Sequence, residues 1–83
     1  MYTIKLTARA KKELKNISKR HKEAIGLIFE ELKEDATLGK PLTRELTGRF
    51  SLGVGVYRII YTVNKSDKTI HVFTAGNRST VYN

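Results

Sequence analysis

The longest strand-like run in the chain is Val56-Tyr57-Arg58-Ile59-Ile60-Tyr61-Thr62-Val63. β-Branched and aromatic residues fill it, and polar or turn-forming residues bound it on both sides. Successive side chains of a strand point to opposite faces. Tyr57, Ile59, Tyr61 and Val63 therefore share one face, which reads as core. Val56, Arg58, Ile60 and Thr62 share the other. A charge in the middle of that second row is costly unless it is paired or solvated. Arg58 is thus the position that the pattern marks out.

The remaining elements arrange around this run. Tyr2-Thr3-Ile4-Lys5-Leu6 alternates like a short first strand. Thr7 is placed to cap a helix from Ala8 to Ile17, with Ala10, Leu14 and Ile17 on one face. Ser18 is placed to cap a second helix, from Lys19 to Ala36. Its Ile25, Ile28, Phe29 and Leu32 follow the i, i+3, i+4, i+7 spacing of a buried stripe. Leu27 falls off that stripe, toward the first helix or a partner. The second helix starts basic and ends acidic, the reverse of what a helix dipole favours. That order hints at a surface arranged for something other than stability.

Leu38-Gly39-Lys40-Pro41 stops the helix, and Leu42 to Gly48 reads as a loop or short turn. Phe50-Ser51-Leu52 begins a second strand, and Gly53-Val54-Gly55 reads as a turn or bulge leading into the central run. Asn64 to Lys68 is a polar hairpin connection, Thr69 to Ala75 the next strand, and Asn77 to Asn83 a polar tail. The order β-α-α-β-β-β predicts an α+β fold. Two N-terminal helices pack on one face of a small, mostly antiparallel sheet, as a single domain over residues 1–83.

Composition adds a compartment and a partner class. The chain has no cysteine, which fits a reducing compartment and removes disulfides and thiolate metal sites. No apolar run approaches the roughly 20 residues that span a bilayer, and the N-terminus lacks a signal peptide's apolar segment. A cytoplasmic protein without membrane contact is expected. The net charge is +8 and uneven. Residues 1–22 hold eight Lys/Arg against one acid, residues 23–48 three against six, and residues 49–83 five against one. A basic field of this size favours a polyanion such as nucleic acid or the ribosome over a plain solubility charge.

Most catalytic constellations are missing. His21 and His71 lie on different elements without metal-ligand spacing, so no metal is expected, and His71 reads as an ordinary strand residue. No phosphate loop or dinucleotide fingerprint occurs, so no cofactor is expected. Arginine and tyrosine remain. A hairpin from Val56 to Ala75 pairs Arg58 near residue 74 or 75, so the tail bearing Arg78 and Tyr82 emerges beside it. Arg44 and Arg49 precede the neighbouring strand. Arg49, Arg58, Arg78 and Tyr82 would then converge on one surface. Lys40 and the first helix's Lys11, Lys12 and Lys15 join Arg44 and Arg49 as candidate RNA- or ribosome-binding positions. The competing reading is a set of solvated surface cations.

At these residues the chain resembles a known family. Gly55-Val56-Tyr57-Arg58-Ile59-Ile60-Tyr61 and the later Gly76-Asn77-Arg78-Ser79-Thr80-Val81-Tyr82 are similar to paired motifs of the RelE/ParE toxin superfamily. The Pro41-Leu42…Leu46…Gly48 loop and the element order are similar too. The resemblance implies the toxin of a type II toxin–antitoxin system. In the RelE-like branch, such a toxin enters the ribosomal A site and cleaves mRNA, and a cognate RelB-like antitoxin neutralises it. It implies that Arg58 and Arg78 stabilise phosphate and that Tyr82 stacks on the message and takes part in catalysis. Arg49 stands where the family often has a basic residue. Ser51 stands where some members have an acid–base lysine, and Asn77 where others have His or Lys, so the general base and acid stay open. A ParE-like protein that poisons DNA gyrase is the alternative within the superfamily. A basic RNA-binding domain without chemistry is the alternative outside it.

Overall fold

The computed structural model of the chain describes residues 1–77. Its elements run β1 (Thr3–Leu6), α1 (Ala8–Lys15), α2 (Lys19–Glu34), β2 (Lys40–Pro41), β3 (Arg49–Val54), β4 (Tyr57–Asn64) and β5 (Thr69–Asn77), with a 3-10 turn at Arg44–Leu46. Both helices pack on one face of a five-stranded sheet of order β1-β5-β4-β3-β2. This is the expected α+β arrangement. The sheet is antiparallel except where β1 runs parallel beside β5.

Both expected helix caps form. The Thr7 side chain accepts from the Ala10 N–H at 3.1 Å, and that of Ser18 from the His21 N–H at 3.4 Å. Each satisfies a backbone donor that the first helical turn leaves open. α1 and α2 end at Lys15 and Glu34, two residues short of the expected Ile17 and Ala36. The Asp35 carboxylate stops α2. It accepts from the Thr37 hydroxyl at 2.6 Å and the Thr37 N–H at 3.0 Å, and these bonds hold its carboxyl below the usual 3.8.

The core forms where the helices meet the inner face of β4 and β5. Ala10, Ile25, Leu32, Ile59, Tyr61, Ile70, Val72 and Ala75 are fully enclosed. Tyr57 and Val63 pack against them from the ends of the same β4 face, as the alternation predicts. The Tyr61 phenol reaches through the core, donating to the Ala36 carbonyl at 3.0 Å and accepting from the Gly39 N–H at 2.9 Å. Gly39 is required there, since a Cβ would lie 2.7 Å from that phenol oxygen. Burial pushes the Tyr61 hydroxyl above its ordinary value of 10.0. The folded state therefore favours the neutral phenol, and the stability this lends is full below about pH 10 and is lost as pH rises past it.

Three expectations about the sheet need correcting. Gly53 and Val54 are not a turn. β3 continues through both, and a two-residue loop, Gly55-Val56, joins it to β4 with positive φ at Gly55 only. Arg58 pairs with Gly76 rather than residue 74 or 75, and β5 runs on to Asn77. The cause is a bulge. Ile60 pairs with Thr74 but Tyr61 with Val72, so Phe73 is an extra residue in β5 and shifts the register. The loop after α2 also contributes a two-residue edge strand, Lys40–Pro41, paired to Phe50 and Ser51.

Candidate RNA-contacting face

Arg58 lies on the sheet face opposite the helices, between two glycines. Its cross-strand partners are Gly53 on β3 and Gly76 on β5. Directly opposed residues of an antiparallel pair share a face with Cβ atoms about 5 Å apart. The two glycines put no side chain of their own on either side of the arginine. The side chain uses the β3 side, since a Cβ on Gly53 would sit 3.3 Å from Nη1 and 3.6 Å from Cζ. The Arg58 Nε is enclosed although the residue as a whole is half-exposed. The stem is thus bedded and the fork lies across the sheet.

Arg49, the first residue of β3, stands on the same face. Its guanidinium carbon lies 4.6 Å from the centroid of the Phe73 ring, two strands away. Phe73 stands two residues after His71 and shares its outer face; the bulge acts beyond it, turning Ala75 rather than Thr74 to the core side. A cation over an aromatic face gains about 0.5–1 kcal/mol at an exposed site. Lys40 pairs with Ser51, which pairs with Ile60, so Lys40 joins this face from the sheet edge. Ser51 itself is buried at 4% exposure. Ile60, at 5%, is equally covered, so the middle row of this face is closed and the cationic rows flank it.

The other expected positions fall elsewhere. Arg44 is exposed in the 3-10 turn, with φ 59°. Lys11, Lys12 and Lys15 are exposed on α1, in the helical layer rather than on the arginine face. Arg78 and Tyr82 lie outside the described residues. His71 is a half-buried strand residue in the row Lys5, His71, Thr62, Arg49, and His21 packs edge-on against Tyr57 with centroids 4.9 Å apart.

Sequence reasoning overlooked Gly53 and Phe73. Gly53 carried a signal, being a small residue two positions ahead of a tight turn inside an alternating run. Its meaning depends on knowing that Arg58 is opposite.

Two helices behind a sheet whose front carries bedded arginines define a RelE-like toxin fold, and comparison with solved structures agrees. The toxin–antitoxin complex RelBE2 from Mycobacterium tuberculosis superposes with a TM-score of 0.85 at 32% identity, covering 93% of this chain and 98% of that one. The isolated E. coli RelE toxin matches in fold with a TM-score of 0.81 at 22% identity, covering 99% and 92%. In sequence the chain is 32% identical to Toxin RelG of Mycobacterium tuberculosis over 83 residues, 98% of this chain and 95% of that protein. The family model described as "ParE toxin of type II toxin-antitoxin system, parDE" matches residues 4–82. The chain belongs to this toxin family, within the RelE/ParE superfamily.

Proposed function

We propose that this toxin is a ribosome-dependent endoribonuclease that cleaves mRNA in the A site and so inhibits translation. The observation that carries the reading is Arg58, bedded between Gly53 and Gly76 with its fork across the sheet face away from the helices. The 32% identity to Toxin RelG supports the same branch.

RNA supplies its own nucleophile. The 2′-hydroxyl oxygen attacks the adjacent phosphorus and gives up its proton to a base. The bond to the 5′-oxygen breaks, and that oxygen takes up a proton. The products are a 2′,3′-cyclic phosphate and a 5′-hydroxyl. Charge builds on the phosphoryl oxygens at the transition state. Arginine suits that charge, because it stays protonated and offers two parallel donors to phosphate. Preorganised donors aimed at developing charge are usually the largest catalytic contribution. Arg58 and Arg78 take this role. Tyr82 stacks on a base, as aromatics do in RNA recognition. Arg49, Lys40 and Arg44 hold the message, and Lys11, Lys12 and Lys15 meet ribosomal RNA.

The partner is a RelB-like antitoxin. The solved relatives include the RelBE2 complex and the intact E. coli RelBE toxin–antitoxin complex, the latter with a TM-score of 0.81 at 19% identity.

Programmed ribosomes test the activity. Native protein cuts mRNA in the A site, and Arg58→Ala, Arg78→Ala and Tyr82→Phe each slow the cut, the arginine variants by about 10²–10³. Two observations favour a second reading. The matching family model is that of the ParE toxins, and a buried serine stands at position 51. Inhibition of gyrase supercoiling by native protein, with no mRNA cut, decides for a gyrase poison.

A further inference from the structure

The chain is basic, yet six of its eight acids fall within residues 23–48. The second half of α2 and the loop after it form an open groove of about 600 Å³ lined by Leu27, Glu30, Glu31, Glu34, Asp35 and Leu38. Leu27 is 70% exposed and Leu38 41%, and with Met1 and Val56 they make up the exposed large hydrophobic side chains among the described residues. Leu27, Glu30, Glu31 and Glu34 follow helical i, i+3, i+4, i+7 spacing, so the groove is a continuous stripe of α2. Leu27 is therefore not packed against α1.

Charge defines what fits here. Of the four carboxylates, Glu30 is paired, with Lys33 at 2.6 Å. α2 ends at this groove, adding the negative pole of its dipole to the remaining acids. A nucleic acid is repelled. A second copy fits badly: a symmetric contact opposes carboxylates to carboxylates, and the basic helix α1 presents no exposed large apolar side chain to cover Leu27 and Leu38. The complement is a helix with Lys or Arg flanking aliphatic anchors, laid into the groove by its apolar side.

We propose that this groove is the docking site for a cationic amphipathic helix of the cognate antitoxin. The inference rests on the antitoxin reading above and adds to it a site on the helical layer, away from the Arg58 face. Docking here tethers the antitoxin without covering the arginines, so this contact and the inhibition of cleavage are separable by mutation.

Titration calorimetry of the purified chain with purified cognate antitoxin tests it. Leu27→Glu, and the pair Glu31→Lys with Glu34→Lys, weaken binding at least tenfold, while Val56→Glu at the distant β3–β4 turn binds as the native chain does. All three changes are at exposed positions, and circular dichroism melts confirm that each variant folds. A designed Leu/Lys helical peptide shifts the amide resonances of α2 and Leu38, its binding weakens with salt, and its Leu/Glu counterpart does not bind. Antitoxin binding within twofold of native for the groove variants overturns the proposal. So does a native dimer that Leu27→Glu dissolves, which assigns the groove to a second copy. Calorimetry does not depend on cleavage. If native protein cuts no mRNA but the groove variants still lose the antitoxin, the nuclease reading fails and this one stands.

Discussion

At the scale of single residues, the site is a matter of what surrounds Arg58. The residue was legible in the sequence as one charge in an apolar strand row. What made the charge tolerable was not. Its bed is Gly53, and a glycine two positions before a hairpin loop reads by composition as part of the turn. The absence of a side chain acquires meaning only once the cross-strand partner is known. Gly53→Ala tests whether the bed positions the guanidinium. The new methyl would meet Nη1 at 3.3 Å, closer than ordinary contact, so the fork must move by a few tenths of an ångström. Stability should hold within about 1 kcal/mol, because the lost backbone freedom of the unfolded chain offsets the crowding. Cleavage should fall severalfold, since a misplacement of about 1 Å costs roughly 10²-fold and this shift is smaller. Single-turnover cleavage on programmed ribosomes, read beside a urea melt, checks the pair of outcomes. Unchanged cleavage would show that the Arg58 fork is not held by this contact.

At the scale of elements, periodicity located both helices and the three longer strands after them, because their apolar spacing is local. It could not show which strand lies beside which across the chain. β1 pairs with β5 only through Val72, as Thr3–Thr69 to Leu6–Val72, and the bulged half of β5 runs past its end. α1 closes that length of edge. The Thr7 hydroxyl donates to the Phe73 carbonyl at 2.7 Å. The Glu13 carboxylate accepts from the Thr74 hydroxyl at 2.7 Å and from the Ala75 N–H at 3.2 Å. Glu13 is the lone acid among the basic first 22 residues, where sequence alone registers it only as one negative charge. Its work is to satisfy donors on the strand that leads to Arg78. Glu13→Ala should cost about 1.5–3 kcal/mol, the range for hydrogen bonds to a charged group. Glu13→Gln, which keeps an acceptor oxygen, should recover part of it. For a domain of this size each kcal/mol lowers Tm by about 4–8 °C, within easy reach of calorimetry. Equal melting of native and Glu13→Ala protein would remove Glu13 from the support of β5.

At the scale of the molecule, the uneven charge resolves into separate surfaces. The sheet front carries Arg58, Arg49 and Lys40, the outer side of α1 carries Lys11, Lys12 and Lys15, and the end of α2 carries the acids. Composition counted an acidic middle segment between two basic ones without showing which charges share a surface. The fold separates the two cationic sets onto opposite layers, so a short RNA strand on the sheet front does not reach α1. Each phosphate contact to a single strand contributes about −0.7 to the slope of log K against log salt. Removing Arg49 and Lys40 together, as Arg49→Gln with Lys40→Gln, should flatten that slope by about 1.4 for a short single-stranded RNA, two contacts at that value. Replacing Lys11, Lys12 and Lys15 with glutamine should leave the short-RNA slope as it was but weaken association with ribosomes, as the proposed contact of α1 with ribosomal RNA requires. Filter binding across a salt series measures the first, and sedimentation with programmed ribosomes the second. If the α1 variant flattened the short-RNA slope as much as the sheet variant did, the RNA would have to follow the helical layer. Arg58 would then lose its claim to the scissile phosphate.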